Sequence, residues 1–268
     1  MSCKIVVGMP VYNEASALPK LFVKLERLYI KLGDSLHLVF VDDGSTDQTR
    51  TLLSDFTGKF PGACLLVHEA NRGLGEAMNT MFGHMVRHYE DRDILVTLDA
   101  DNTHDPNLIM AMVRKLKNEQ LDLVIASRFA PGGQELGLPL LRKLYSRGAR
   151  LFFRLLFPID GVNDYSSGFR AYTAGIIRKA IREYHGRLIT LSGFACTAEI
   201  IAKLGRVGVK AGEVPLTLEY FLKEGRSKMN VKQTVAGYFR LVRAVSLPSA
   251  ETGPEFTGVP EQSGEQRT

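Results

Sequence analysis

The sequence predicts an α/β protein built on a mostly parallel sheet with helices against it. Two observations carry this: short β-rich apolar runs recur at residues 4–9, 36–41, 63–68, 94–98 and 121–126, and each adjoins a stretch of helical periodicity. Alternation of strand and helix makes the helices crossovers between parallel strands, so both faces of the sheet are covered. Ligands of such sheets bind beyond the carboxyl ends of the strands. The residues at those ends therefore carry the functional information.

The first run is followed by P-V-Y-N-E at 10–14, the second by V-D-D-G-S-T-D at 41–47, the fourth by Asp99-Ala100-Asp101 and the fifth by Ser127-Arg128-Phe129. The fourth is the most telling. Residues 95–106 read L-V-T-L-D-A-D-N-T-H-D-P, an apolar strand ending in two carboxylates, followed by a helix started at Pro106. Strand alternation places Asp99 and Asp101 on one face, and hard oxygen ligands there suit Mg²⁺ or Mn²⁺ carrying a diphosphate. On these residues alone, an Asx-rich turn that caps the helix is the alternative. Ser45 and Thr46 suit the start of the next helix. Asp42 and Asp43 crowd two negative charges that a cation or ribose hydroxyls would bridge.

Composition bounds the rest. A chain of 268 residues, 45% hydrophobic and 24% charged, buries a full core, which implies one large domain or one domain with a C-terminal appendage. Cys3, Cys64 and Cys196 are scattered without a C-x-x-C pair, as expected of a reducing, cytosol-facing compartment. The apolar stretch at the N-terminus is too short for a signal peptide, and no run of about 18 apolar residues occurs, so neither secretion nor a membrane span is expected. A net charge of +5, with its basic residues clustered, argues against nucleic acid as the partner.

In this order, P-V-Y-N-E, V-D-D-G-S-T-D, N-R-G-L-G-E-A (71–77), D-A-D-N-T-H-D-P and S-R-F resemble the nucleotide-sugar half of GT-A glycosyltransferases of family 2. Downstream, R-K-L-Y-S-R-G-A (142–149), D-Y-S-S-G-F-R-A-Y (164–172), E-V-P-L (213–216) and G-R-S-K-M (225–229) resemble the dolichyl- or polyprenyl-phosphate mannosyltransferase branch, and the likeness spans residues 4–245. It implies a GT-A catalytic domain over 1–224, with a donor half to about 130 and an acceptor half from 131; charge and apolar pattern then give a basic amphipathic segment over 225–247, and the polar, Gly/Pro-rich composition without periodicity gives a disordered tail over 248–268. Residue by residue, the likeness implies that Pro10, Tyr12, Glu14, Val41 and Asp43 hold the base and ribose. Ala100 lies against the nucleotide, and Asp99 and Asp101 bind Mg²⁺ or Mn²⁺. Thr103 stands where the family often has Gln at the metal, with water as the substitute ligand. Arg128 matches an arginine on the sugar or diphosphate, Arg142 and Ser146 match the acceptor-phosphate site, and Lys228 matches a lysine on the diphosphate. Asp101, Arg128 and Lys228 would thus carry the catalysis. One departure is Leu222-Lys223-Glu224, where the family has an arginine and one residue fewer; Lys223 would substitute as a point charge without the bidentate fork.

The acceptor can be argued from the residues. A sugar hydroxyl must lose a proton, so an enzyme using one needs a carboxylate poised over it; a lipid phosphate is already anionic near pH 7. Between Arg128 and Asp160 the chain has one acid, Glu135, against Arg142, Lys143, Arg147, Arg150 and Arg154. Residues 136–157 are expected to form one helix, its basic residues recurring every three or four positions. A basic amphipathic helix reads as membrane-surface binding, with Phe152, Phe153 and Phe157 as the inserting side chains. The acid-free segment 225–245, with Lys228, Lys232, Arg240 and Arg243 beside Val231, Val235, Tyr238, Phe239 and Val242, reads as a second such patch. Glu199, on a helix over 195–204, would serve as base only for a hydroxyl acceptor, and a paired structural role is the competing reading. His104, next to the acidic pair, is placed to touch a diphosphate; the N-R-G-L-G-E-A glycines read as a turn into a helix near Leu74.

The expected function is an inverting, metal-dependent hexosyltransferase, with GDP-mannose as donor and a polyprenyl or dolichyl phosphate as acceptor. Its place would be peripheral, on an anionic cytosolic membrane face, with or without an anchoring partner subunit. Transfer to a carbohydrate or glycolipid hydroxyl, use of a UDP-sugar such as UDP-glucose, and a non-catalytic nucleotide-sugar-binding subunit are the alternatives.

Overall fold

The computed structural model describes residues 3–137 and 140–219, together with 237, 238, 240, 241 and 245, and for 140–145 and 219 the backbone alone. Strand and helix alternate as the periodicity implies: β1 Ile5–Val11, α1 Leu18–Leu32, β2 Leu36–Asp42, α2 Thr49–Thr57, β3 Ala63–Val67, α3 Leu74–His88, β4 Ile94–Thr97, α4 Leu108–Asn118 and β5 Leu123–Ser127. There follow β6 Gln134–Leu136, α5 Leu140–Leu156, β7 Arg170–Thr173, α6 Ala174–Glu183, α7 Ala195–Arg206, β8 Ala211–Pro215 and β9 Thr217–Glu219.

Seven strands form one sheet in the order β3-β2-β1-β4-β7-β5-β8, and β6 pairs with β9 in a separate ribbon. All pairings in the large sheet are parallel except those of β7, which lies antiparallel between β4 and β5. The carboxyl ends of β1, β2, β4 and β5 therefore share one rim. Each strand contributes alternate side chains to two cores. Val6, Val39, Val41, Leu95, Leu123 and Ile125 pack with α3, α6 and α7, whereas Ile5, Val7, Phe40, Ile94, Val96 and Val124 pack with α1, α2 and α4. Burial on both faces is why these strands read as unbroken apolar runs.

Two parts of the expected layout are revised. Residues 134–136 belong to a strand and α5 begins only at Leu140, because Gly137 takes a left-handed φ of +73° and Gln134 N–H donates to the Leu216 carbonyl. The apolar residues of α5 also divide differently. Phe153 is 0% exposed, stacked on Tyr165 at 5.4 Å and edge-on to Tyr238 at 4.8 Å, and Phe157 is buried beside it. The outward side chains are Leu151 (61% exposed), Leu155 (73%) and Leu156, so the phenylalanines belong to the core. In the segment beyond 225, Tyr238 packs on this cluster, Leu241 and Val245 are fully buried, and Arg240 faces solvent. The remaining residues of that segment, and the tail, lie outside the described residues. Among the described residues, no helix is long and apolar enough to cross a membrane.

Removing the Phe153 ring should leave a cavity between α5 and the sheet, so Phe153→Ala is expected to cost about 3 to 5 kcal/mol. Leu151→Ala, one turn-face away, should stay within about 0.5 kcal/mol. Urea unfolding of both variants checks the assignment of the two faces.

Candidate active site

The loops after β1 and β2 are built against each other. Asn13 takes a left-handed φ of +50°, its backbone N–H donates to Ser45 Oγ, and its side-chain carbonyl accepts from Thr46 N–H at 2.8 Å. Glu14 N–H donates to Thr49 Oγ1, while its carbonyl receives the first N–H groups of α1. Ser45 and Thr46 thus brace the Asn13 loop, and α2 starts later, at Thr49, whose N–H is capped by the Asp47 carboxylate at 2.9 Å. Burial slightly opposes the Asp47 charge, but the hydrogen bonds from Thr49 and Ala15 hold its pKa below the ordinary value. Gly44 is required at the turn: its φ is +70°, and a Cβ would meet the Ala70 carbonyl carbon at 2.3 Å.

The crowding of Asp42 and Asp43 is resolved within the protein, so no bridging ligand is needed to explain it. Asp42, fully buried, pairs with Arg50 at 2.8 Å and accepts from Ser45 N–H. Asp43 meets the His68 ring at 2.7 Å and accepts from the N–H groups of Arg72 and Gly73 at 2.9 and 2.8 Å. The other ring nitrogen of His68 meets Thr80 Oγ1. Asp43 thereby fixes the N-R-G turn and the start of α3 at Leu74 next to the rim.

At the acidic pair, β4 ends at Thr97, two residues before Asp99, so strand alternation does not set the relation of the two carboxylates. Asp99 is 41% exposed on its side chain, with His104 Nδ1 at 3.9 Å. Asp101 is buried, and its Oδ1 accepts from Thr103 Oγ1 at 2.6 Å and Thr103 N–H at 3.2 Å. Thr103 therefore orients the second carboxylate, and Asn102 makes the turn with a φ of +64°. Helix α4 starts at Leu108 rather than Pro106 because Asp105 captures the Asn107 N–H and side-chain amide in a local Asx turn. Among the described residues, four buried polar atoms lack a hydrogen-bond partner: Asn102 Oδ1, His104 Nδ1, Ser167 Oγ and Arg170 Nε. The first two lie on the acidic turn, Ser167 on the segment entering β7 and Arg170 in β7 itself; the turn and that segment approach each other where a Cβ on Gly168 would lie 3.4 Å from the Asp99 carboxylate.

Arg128, at the end of β5, is held by the buried Asp164. Nε donates at 2.8 Å and Nη2 at 2.7 Å to its two carboxylate oxygens, and Nη2 also reaches Ser166 Oγ. Burial opposes both charges, yet each outweighs it for the other: the guanidinium pKa rises, and that of Asp164 falls to about 2. Asp164 also accepts from the N–H groups of Arg128, Ser166 and Ser167. The remaining edge of Arg128, Nη1, lies 3.3 Å from Glu135, which also meets Ser146 Oγ at 3.4 Å. Beside them opens a cavity of about 670 Å³ lined by Arg128, Phe129, Glu135, Arg147, Arg150 and Arg154. Phe129 lies between the guanidiniums of Arg128 and Arg150, 5.4 and 5.0 Å from its ring centre.

Residues 6–184 match the family model "Glycosyl transferase family 2". The chain belongs to that family. It is 32% identical over 240 residues to a dolichol-phosphate mannosyltransferase of Pyrococcus furiosus, covering 88% of this chain and 62% of that one, so it spans less than two thirds of that relative's length. It is 31% identical to an undecaprenyl-phosphate mannosyltransferase of Micrococcus luteus (85% of this chain, 88% of the relative) and 27% identical to a polyprenol monophosphomannose synthase of Mycolicibacterium smegmatis (80% and 77%). Among solved structures, glucosyl-3-phosphoglycerate synthase from Mycobacterium tuberculosis, crystallised with Mn²⁺, UDP and glucosyl-3-phosphoglycerate, superposes with a TM-score of 0.64 at 19% identity. It covers 93% of this chain and 82% of that one. The fold is thus GT-A.

In this family 2 chain, the structure brings Asp99, Asp101, Thr103 and His104 together at one end of β4, and Arg128 and Ser146 around one Glu135 oxygen. Pro10 lies in β1, Tyr12 and Glu14 on the braced loop after it, Val41 and Asp43 at the end of β2, and Ala100 between the two acids. Lys223 and Lys228 lie outside the described residues, as does the side chain of Arg142, whose backbone is in α5. Glu199 is a structural residue. It is fully buried, 2.7 Å from Lys203, and accepts from Thr190 N–H, Thr190 Oγ1 and Leu191 N–H. Asp164 was visible only as part of the D-Y-S-S-G-F-R-A-Y motif. Its role needed the fold, because 36 residues separate it from Arg128.

Breaking a buried pair from one side strands the other charge, so Asp164→Asn should cost about 3 to 5 kcal/mol. Between its ordinary value of 3.8 and its folded value of about 2, Asp164 binds fewer protons folded than unfolded. Its contribution of about 2 kcal/mol is therefore complete above about pH 4 and lost as pH falls through about 2. Urea midpoints measured from pH 7 to pH 2 should show this acid limb in the wild type and its loss in Asp164→Asn.

Proposed function

We propose that this glycosyltransferase moves a hexose, mannose from GDP-mannose, onto a polyprenyl or dolichyl phosphate, with inversion and with Mg²⁺ or Mn²⁺, at the cytosolic face of a membrane. The observation that carries this reading is the arginine-lined cavity beside Arg128, together with the locking of Glu199 into the core. A cavity with four arginines and one carboxylate suits an anionic acceptor, which attacks without a general base. The named activities of the P. furiosus, M. luteus and M. smegmatis relatives point the same way.

Among the described residues, no three His, Cys, Asp or Glu side chains are assembled to hold a metal ion. That fits a Mg²⁺-type site, in which one or two carboxylates bind and substrate phosphates and water complete the shell. Asp99 and Asp101 would hold the ion, Asp101 oriented by Thr103, with His104 beside them placed to touch a diphosphate. When bound, the ion would neutralise charge growing on the departing diphosphate. Pro10, Tyr12, Glu14, Val41, Asp43 and Ala100 would seat the nucleoside, with Lys223 and Lys228 at the diphosphate. Arg142 and Ser146 would seat the acceptor phosphate in line with the sugar, and Arg128, expected at the sugar or diphosphate, would stabilise charge as the bond to the leaving group breaks and reach the acceptor phosphate beside Ser146 through Nη1.

Membrane contact follows from α5. Leu151, Leu155 and Leu156 stand out from the same helix as the exposed Arg147 and Arg154, an apolar ridge beside cationic side chains that matches an anionic lipid surface. A separate anchoring subunit is not required by this arrangement.

Asp101→Ala should abolish turnover of nucleotide sugar and prenyl phosphate, and EDTA should do the same to the wild type. Near-normal rates in either case would remove the metal from the mechanism. Arg142→Ala should raise the acceptor KM by about tenfold, from the loss of one charge-assisted contact, and spare the donor KM. For the membrane, Leu155→Ser with Leu156→Ser should weaken cosedimentation with anionic vesicles and leave activity on a short, soluble prenyl phosphate intact, since both are exposed and neither lines the cavity. Vesicle binding unchanged by this pair would place the membrane contact elsewhere.

A further inference from the structure

Arg128 has two carboxylate partners of different kinds. Asp164 is fully buried and bound at 2.7 and 2.8 Å through two parallel hydrogen bonds, the geometry of a permanent pair. Glu135 meets Arg128 Nη1 at only 3.3 Å, and the same oxygen meets Ser146 Oγ at 3.4 Å, both at or beyond the long end of hydrogen bonding. It comes from β6, three residues long and, among the described residues, paired only with β9, whereas Arg128 follows β5 of the seven-stranded sheet and Asp164 is tied to β8 of the same sheet through Glu213. Nε and Nη2 of Arg128 are consumed by Asp164 and Ser166, so Nη1 is the edge left for a substrate. Glu135 stands on that edge, at the mouth of the cavity, and lines it among Arg147, Arg150 and Arg154.

We propose that Glu135 holds the place of the acceptor's phosphate, a built-in anion that competes for Arg128 and Ser146 and sets the pocket's selectivity for acceptors carrying a phosphate. The proposal rests on the reading that a prenyl phosphate is seated by these two residues. Two anions cannot share one guanidinium edge at this range without strong repulsion, so the incoming phosphate must move Glu135 aside. A phosphate monoester succeeds because it brings up to two charges and three acceptor oxygens against one charge and two oxygens. A neutral hydroxyl brings nothing to exchange and leaves Glu135 in place. With no acceptor bound, the carboxylate keeps a nearly buried guanidinium edge and hydroxyl satisfied, which an apolar residue there would not.

Glu135→Gln tests this, since it keeps shape and hydrogen bonding and removes the competing charge. The acceptor KM for a short-chain prenyl phosphate should fall by about threefold to tenfold, the effect of one long, mostly buried ion pair, while kcat and the donor KM stay within about twofold. Calorimetric titration with the same prenyl phosphate should show the same tightening, and inorganic phosphate should inhibit the variant more strongly than the wild type. Glu135→Val, without a polar end to satisfy, provides a second variant with the same expected direction, and thermal unfolding reports whether each is folded. An acceptor KM that is unchanged or raised in folded variants overturns the proposal and makes Glu135 a structural support for Arg128. A fall in kcat of about a hundredfold or more, with KM preserved, overturns it in another way, since it marks Glu135 as a general base for a hydroxyl acceptor. If wild-type protein neither binds nor uses prenyl phosphate, the functional reading fails and the proposal with it. If the wild type uses it and the variants bind it no better, the proposal alone fails.

Discussion

The buried ion pair between Arg128 and Asp164 is the constraint around which the arginine-lined side of the molecule is arranged. A guanidinium at the end of a central strand is tolerable in the interior only with a fully bonded counter-charge, and Asp164 supplies one that accepts six hydrogen bonds from Arg128, Ser166 and Ser167. Asp164 in turn is fixed from β8: the Glu213 carboxylate accepts from the N–H groups of Asn163 and Asp164 at 2.5 and 2.7 Å. The Asn163 side chain then receives Arg150 of α5 at 2.8 Å. One chain of polar contacts thus links β5, the loop before β7, β8 and the basic helix. Shifting any member would move the cavity wall as a unit.

The rim at the ends of β2 and β4 solves a different electrostatic problem, the crowding of acids. Asp42 and Asp43 spend their charge on Arg50, His68 and backbone N–H groups, which fastens the surrounding loops together. Asp99 remains partly open to solvent, and Asp101 is oriented by Thr103. The difference is physical: a carboxylate buried among internal donors braces loops, whereas one that reaches solvent stays accessible from outside the protein.

Much of this was legible in one dimension. Period-two and period-3.6 apolar patterns act locally, so the βα alternation, the parallel sheet and the strand ends bearing Asp99, Asp101 and Arg128 could be read directly from residue order. The same holds for the turn leading into α3 at Leu74 and for the near absence of acids around α5, since composition alone shows where a negative charge is missing. The choice between structural and chemical roles was less accessible. Ser45 and Thr46 look like helix caps until Asn13, more than thirty residues earlier, is found against them, and Glu199 is ambiguous until Lys203 and Thr190 enclose it.

The sequence by itself determined the fold class, the family and the rim on which the chemistry sits, because each depends on patterns within a strand, a helix or a short motif. Only the tertiary structure decided which face of α5 is core, why β7 lies antiparallel between β4 and β5, and which of the two acids beside Arg128 is permanent. Phe153 and Leu151 are equally apolar, and Asp164 and Glu135 equally charged. What separates them is burial and distance, set by elements far apart in the chain, and no local pattern carries that information.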